Sequence, residues 1–180
     1  MKVGDINIGE LKPIPEPELC DEKEVFAFFG LASFNAQCAE KALVNFAMGY
    51  KVVDNSALNQ EEWLEIYNGL NSHTFGRLLG QVKKKVDLPY ELVTHLEATL
   101  KKRNWLAHDF FYDYAMHMSD TDGRQEMINE LQNLIHIFQV ADHAVEKLSL
   151  KVWETMGITE DWLQNEVATQ LKEYHSGKDA

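Results

Sequence analysis

The stretch VFAFFGLASFNAQCAEKALVNF, residues 25–46, carries an apolar side chain at every third or fourth position. This spacing places those side chains on one face of an α-helix, and that face must be covered by other elements. The stripe comprises Val25, Phe28, Phe29, Ala32, Ala36, Ala39, Leu43 and Phe46. Asp21, followed by Glu22 and Glu24, is a favourable start for this helix. We expect the helix to end near Gly49.

The rest of the chain shows the same helical period and no competing strand pattern. We expect a short helix from Glu61 to a break at Asn68-Gly69 and Asn71-Ser72, and another over residues 75–86 after Thr74. A fourth helix is expected from Pro89 to about Met118. After a loop over residues 119–123, a long helix should run to Gly157, and a final helix should follow Thr159. The predicted fold class is therefore all-α, a helical bundle.

The domain organisation follows from the prolines and the composition. Prolines at positions 13, 15 and 17 predict an extended, Pro-rich N-terminal arm over residues 1–20, because they block helix and sheet hydrogen bonds alike. A single helical domain over residues 21–175 and a flexible tail over residues 176–180 account for the remainder. The 180 residues, 45% of them hydrophobic, suffice for one sizeable core.

From its composition we expect neither a targeting signal nor a cysteine pair in this chain. No apolar run approaches the roughly eighteen residues of a membrane span. The N-terminal residues carry charges and prolines where a signal peptide would be apolar. Cys20 and Cys38 are separated by seventeen residues without a CxxC motif, so neither a zinc site nor a disulfide framework is indicated. We expect a cytoplasmic protein with reduced thiols, no cofactor and no membrane partner.

The charges are distributed unevenly along the chain. A net charge of -12 argues against a protein that coats nucleic acid, since phosphate binding relies on lysine and arginine. The one basic island, residues 76–103, contains Arg77, Lys83, Lys84, Lys85, Lys101, Lys102 and Arg103 against Asp87, Glu91 and Glu97. It ends at the motif Arg103-Asn104-x-x-x-His108, which we call the signature.

The signature combines the residue types that RNA cleavage needs. When the 2′-hydroxyl attacks the adjacent phosphodiester, a histidine can take its proton, and an arginine can bind the phosphate oxygens. On an ideal helix Arg103 and His108 lie about 140° apart, whereas Asn104 and His108 share a face. Asn104 could therefore orient the imidazole while Arg103 reaches the phosphate. The alternative is a surface arginine with an incidental histidine and an exposed asparagine.

Two segments resemble the HEPN (higher eukaryotes and prokaryotes nucleotide-binding) domain family. Residues 32–46, ASFNAQCAEKALVNF, resemble the first helix of HEPN domains, and residues 74–111 resemble their second half. RNWLAHDFF, residues 103–111, is the most specific part. The resemblance spans residues 31–111, and it departs at Val44, where many relatives carry a lysine.

The resemblance implies a helical bundle of the HEPN type, here with additional C-terminal helices, that forms a homodimer with two signatures in one cleft. It implies a metal-independent endoribonuclease of the toxin–antitoxin or phage-defence kind, with RNA as substrate and an antitoxin or other neighbouring-gene protein as partner. Arg103 would steady the phosphate, Asn104 would be the polar signature residue and His108 the acid–base, with Glu40 and Lys41 in support. Since some HEPN members lack catalysis, the alternative is a non-catalytic module that binds a protein partner or a nucleotide.

Several side chains near the signature have two interpretations. Lys101 and Lys102 could contact the RNA backbone or form a solvated helix face, and Trp105 could stack on a base or belong to the core. Glu40 is either paired, with Arg103 as a candidate, or exposed. Two sets could hold a metal: Asp109, Asp113 and His117 at i, i+4 and i+8, and His136 with His143. Because such residues usually face solvent, we expect no metal site.

Overall fold

Residues 2–54 and 58–176 are described by a computed structural model of the protein. The helices in these residues are α1 (Glu22–Asp54), α2 (Gln60–Asn71), α3 (Phe75–Lys85), α4 (Tyr90–His108), α5 (Phe110–Asp113), α6 (Thr121–Glu154) and α7 (Glu160–Ser176). A 3-10 turn, His117–Ser119, precedes α6, and a two-stranded hairpin precedes α1. The predicted all-α class is confirmed. No helix of these residues is long and apolar enough to cross a membrane.

The two long helices, α1 and α6, run parallel to each other. Beside their N-terminal ends, the Cys20 thiol donates to Gln125 Oε1 at 2.7 Å. Near their C-terminal ends, Gly49 of α1 lies against Val152 and Trp153 of α6, where an added Cβ would come within 3.1 Å of Val152 Cγ1. The N-terminal ends of α1 and α6 thus lie together, and so do their C-terminal ends. This parallel pair is the frame on which the other elements pack.

The core consists of two groups of buried side chains along this frame. One group joins the second half of α1 to α2, α3, the start of α4, the second half of α6 and the hairpin. The other group joins the first half of α1 to the end of α4, α5 and the first half of α6. Leu106 of the signature segment and Phe110 belong to this second group. The signature is therefore fixed to the core by its neighbours.

Helix α4 lies antiparallel to α6 and is shorter than predicted. His95 Nε2 donates to the Ile137 carbonyl at 3.0 Å, and Lys102 Nζ lies 2.7 Å from Glu130 Oε1. The later residue of α4 thus pairs with the earlier residue of α6, which makes the two helices antiparallel. We expected α4 to continue to about Met118, but it ends at His108. The chain turns at Asp109 because Phe110 and Phe111 pack on Phe29, with ring centroids 5.8 Å and 4.8 Å away.

Other helix ends agree with the sequence to different degrees. The expected caps are present, because Asp21 Oδ1, Thr74 Oγ1 and Thr159 Oγ1 accept backbone N–H groups three residues later. Helix α1 continues to Asp54, past the predicted end near Gly49. Helix α2 continues through residues 68–69, the first part of the predicted break, and ends at Asn71, in its second part.

The N-terminal arm is docked rather than merely extended. Strands β1 (Lys2–Val3) and β2 (Ile6–Asn7) pair antiparallel, although we predicted no strand. The prolines follow this hairpin and so do not interfere with it. The Ile8 carbonyl accepts a hydrogen bond from His143 Nδ1, and the Pro15 carbonyl accepts one from Gln132 Nε2. Because the later residue of the arm contacts the earlier residue of α6, the arm runs antiparallel to this helix. In the predicted tail, Ser176 belongs to α7, and residues 177–180 lie outside the described residues.

Candidate functional site

The signature occupies the last turns of α4. Leu106 is buried between the two exposed signature residues Asn104 and His108, and Arg103 is half-buried. His108 is the last residue of the helix, so its side chain lies where the backbone changes direction. Burial of Leu106 thus fixes this end of the helix to the core, while Asn104 and His108 face solvent.

Arg103 is held by two acceptors. Its Nη2 lies 3.2 Å from Glu40 Oε2 of α1, and its Nη1 donates to Asn104 Oδ1, also at 3.2 Å. The Glu40 side chain is 19% exposed, so it lies in partial burial and needs such a partner. Of the two interpretations of Glu40, the structure shows pairing with Arg103. The guanidinium has five N–H donors, so donors remain for a ligand.

His108 and Asn104 are not joined. Asn104 Oδ1 accepts from Arg103 instead, and among residues 2–54 and 58–176 no hydrogen bond or ion pair involves His108. Helix α4 is unbroken from Tyr90 to His108, so the angle of about 140° between Arg103 and His108 is kept. In one copy of the chain the two residues therefore lie on different faces of α4.

Lys102 and Trp105 belong to a packed arrangement beside the signature. Lys102 Nζ pairs with Glu130 and lies 5.2 Å from the centre of the Trp105 ring. The indole Nε1 donates to Asp113 Oδ2 at 2.7 Å, and the ring meets Phe110 edge-on with centroids 5.4 Å apart. Since both its polar and its apolar atoms have partners, Trp105 fits the packing interpretation better than the base-stacking one.

The other two supporting candidates lie apart from Arg103. Lys41 Nζ donates to Asn71 Oδ1 at the end of α2, so it is directed toward another part of the bundle. Lys101 is exposed on α4. Of the candidates around Arg103, the structure therefore brings only Glu40 and Asn104 into contact with it.

Carboxylates neutralise part of the basic island. Besides Arg103–Glu40 and Lys102–Glu130, Lys83 Nζ lies 2.5 Å from Glu97 Oε1. The hydrogen bond and charge of Lys83 hold the pKa of Glu97 below its usual range. At least three of the seven cations thus have an acidic partner, which reduces the positive charge available to a phosphate backbone.

Sequence reasoning missed Glu130 and assigned Asp113 differently. Glu130 lies on α6, and nothing local in the sequence connects it to Lys102. Asp113 and His117 were considered as one stripe with Asp109, but the helix breaks at Asp109. Asp113 instead accepts from Trp105, and His117 Nε2 lies 3.3 Å from Glu126 Oε2.

Among the exposed apolar side chains of the described residues are two groups that bear on possible interactions. The first, which we call the signature surface, consists of Phe26, Tyr112 and Met116; Tyr112 is 85% and Met116 80% exposed, and the Phe26 ring packs on Phe111 next to Tyr112. The second, the α7 face, consists of Leu163, Val167, Leu171 and Tyr174, and α7 buries none of its described side chains. Apolar surface of this kind is typical of interaction sites.

A groove of about 520 Å³ lies between α6 and the start of α7, lined by Trp63, Trp153 and Trp162 among others. It shares no residue with the signature. Comparisons of the chain with protein-family models, with curated proteins and with solved structures find no match. The relation to HEPN domains therefore rests on the residues quoted from the sequence.

Proposed function

We propose that the protein is a metal-independent endoribonuclease of the HEPN type, acting as a homodimer on cytoplasmic RNA. The observation that carries the proposal is the state of the signature: Arg103 is fixed by Glu40 and Asn104 with donors to spare, while His108 is exposed at the end of the same helix. A fixed cation and an accessible imidazole are the two groups that cleavage by the 2′-hydroxyl requires.

In the proposed reaction Arg103 binds two oxygens of the phosphate and offsets the charge that develops on them. His108 accepts the proton of the 2′-hydroxyl as its oxygen bonds to phosphorus. The bond from phosphorus to the 5′-oxygen breaks, and that oxygen takes a proton from a second, protonated imidazole. The products are a 2′,3′-cyclic phosphate and a 5′-hydroxyl end, and no electron acceptor or metal is consumed.

A homodimer would supply what one chain lacks. Within one copy Arg103 and His108 diverge by about 140°, and only one signature imidazole is present. A second copy across the signature surface would place the partner's His108 beside the first copy's Arg103 and provide the second imidazole. The exposed Tyr112 and Met116 support a protein contact at this position. An enzyme of this kind would need control by an antitoxin or similar partner.

The first test replaces His108 by alanine and assays the purified protein on total RNA and tRNA with EDTA present. We expect the wild type to cleave, and His108→Ala to lose about 100-fold or more of the rate, since general acid–base groups contribute that much. His136→Ala is the matched control, because His136 is also an exposed helical histidine. Unchanged cleavage by His108→Ala, or equal loss in both variants, would show that His108 is not the catalyst.

A second candidate function is a non-catalytic HEPN-like module that binds a protein partner. The exposed apolar side chains of the α7 face and the acidic partners of the basic island favour it. In that case we expect no RNA cleavage by the wild type and a stable complex with the product of a neighbouring gene, weakened by Val167→Asp. The two candidates differ in the first assay, because only the ribonuclease cuts RNA.

A further inference from the structure

Three metal-ligating side chains converge on the second half of α6. Asp142, His143 and Glu146 each offer one ligand atom, and these atoms lie within 4.8 Å of one another. The reason is helical geometry: Glu146 is four positions after Asp142 and three after His143, so it shares a face with both. This triad differs from both metal sets considered from the sequence, since the partner of His143 is not His136.

The imidazole of His143 is oriented by a contact outside the triad. Its Nδ1 lies 3.3 Å from the Ile8 carbonyl, which can only accept, so Nδ1 carries the proton in this contact. With the proton on Nδ1, the lone pair of the ring lies on Nε2, the nitrogen that a metal ion would bind. A backbone carbonyl that fixes the second ring nitrogen is the usual companion of a metal-binding histidine.

The two carboxylates have no lysine or arginine partner at ion-pair distance in the part of the chain that the structure describes. Among the described residues no lysine or arginine nitrogen lies within 4.0 Å of Asp142 or Glu146. Asp142 is half-buried and Glu146 is exposed. A divalent cation would neutralise the two negative charges.

We propose that Asp142, His143 and Glu146 bind a zinc ion, with water completing the coordination. Zinc takes imidazole and carboxylate ligands at about 2.0–2.2 Å in a tetrahedral arrangement, which puts ligand atoms roughly 3.3 Å apart. The three ligand atoms are at most 4.8 Å apart, and rotation of their side chains on one helix can bring them to this distance. Magnesium, which demands octahedral oxygen ligands, fits a set containing imidazole poorly.

The site is distinct from the proposed ribonuclease centre. It contains neither Arg103 nor His108, and Asp142 is twelve residues beyond Glu130, about 18 Å along α6. Because His143 also contacts the Ile8 carbonyl, a bound ion would tie the hairpin to α6. The ion's role would be to stabilise the arm, and RNA cleavage would not require it.

The test is titration of EDTA-treated, dialysed protein with zinc chloride by calorimetry. We expect one site per chain, affinity reduced more than tenfold in His143→Ala and in Glu146→Gln, and no change in His136→Ala. Glu146→Gln keeps the size of an exposed side chain, so circular dichroism should show an intact fold even if His143→Ala unfolds. Cobalt in place of zinc should give the visible absorption of a four-coordinate ion.

Absence of stoichiometric binding by the wild type, or wild-type affinity in Glu146→Gln, would overturn the zinc site. Magnesium chloride in the same titration should give no heat of binding, and binding of magnesium equal to that of zinc would contradict the donor argument. Neither result bears on the ribonuclease proposal, whose assay contains EDTA. The two proposals therefore fail separately.

Discussion

At the scale of single residues, the Glu40–Arg103 pair is the contact on which the proposed site depends. A guanidinium on an exposed helix end has many rotamers, and each one lost on binding a phosphate costs free energy. Glu40, four-fifths buried in α1, and Asn104 remove much of that freedom beforehand. The pair is thus a positioning device more than a source of stability, since partly exposed ion pairs contribute about 0–1 kcal/mol.

Glu40→Gln tests this role. The amide retains the shape of the carboxylate but loses the charge, so we expect the free energy of unfolding in urea to fall by less than about 1 kcal/mol. RNA cleavage should fall about tenfold or more, because small errors in position cost large factors in rate. Glu97→Gln is the matched control: it breaks the exposed Lys83 pair and should leave cleavage unchanged. Equal rates in the two variants would contradict the positioning role of Glu40.

Part of this residue-scale picture was predictable. A carboxylate within an apolar helical face requires a partner, and Arg103 was a candidate on chemical grounds alone. Glu130 and the Asp113–Trp105 bond were not predictable, because each depends on where a helix ends or how two helices align. Spacing rules apply within one regular helix and fail across the break at Asp109.

At the scale of elements, the junction between the arm and α1 is secured by one side chain. The Glu24 carboxylate accepts backbone N–H groups of Glu18, Leu19 and Cys20 at 2.7, 2.9 and 2.5 Å. These hydrogen bonds, led by that of Glu18, hold the pKa of Glu24 below its usual 4.5. Glu24 also stands in the first turn of α1, where a negative charge is favourable.

A lowered pKa in the folded state predicts a defined pH response. The contribution of Glu24 to stability is complete above pH 4.5 and is lost as the pH falls through the lower, folded-state pKa. Melting temperatures measured from pH 7 to pH 3 should therefore show a smaller acid-induced drop in Glu24→Gln than in the wild type. The exposed first-turn neighbour variant Glu22→Gln should follow the wild type. Parallel curves for all three proteins would show that the arm does not depend on this carboxylate.

The elements themselves were predictable where local signals are strong. Thr74 and Thr159 mark the starts of α3 and α7 because a side-chain cap acts over three residues. The end of α4 was predicted too late, because burial of Phe110 and Phe111 outweighs a helical pattern that continues in the sequence. The hairpin was missed since strands of two residues are too short to show alternation.

At the scale of the whole molecule, the signature surface and the α7 face are two exposed apolar areas on one chain. The ribonuclease proposal assigns the dimer to the signature surface, so Tyr112→Asp combined with Met116→Asp should yield a monomer that no longer cleaves RNA. Light scattering with size-exclusion chromatography measures the mass. Both side chains are at least 80% exposed, so the substitutions should not disturb the core.

The matched control places the same charges on the other surface. Val167→Asp combined with Leu171→Asp should leave both the dimer and the cleavage intact, since these side chains are 56% and 53% exposed on a helix away from the signature. If this variant dissociates while the signature-surface variant stays dimeric, the cleft arrangement is wrong and α7 is the dimer contact.

The parallel arrangement of α1 and α6 has a consequence for how the chain is made. Cys20, just before α1, and its partner Gln125 in α6 are 105 positions apart. The apolar stripe of α1 therefore leaves the ribosome long before α6, the helix that covers it. At about 5–20 residues per second, synthesis takes roughly 5–20 s to bring α6 into reach. During that interval the stripe must be shielded by the shorter helices or by a chaperone, and the nascent chain is then most prone to aggregation.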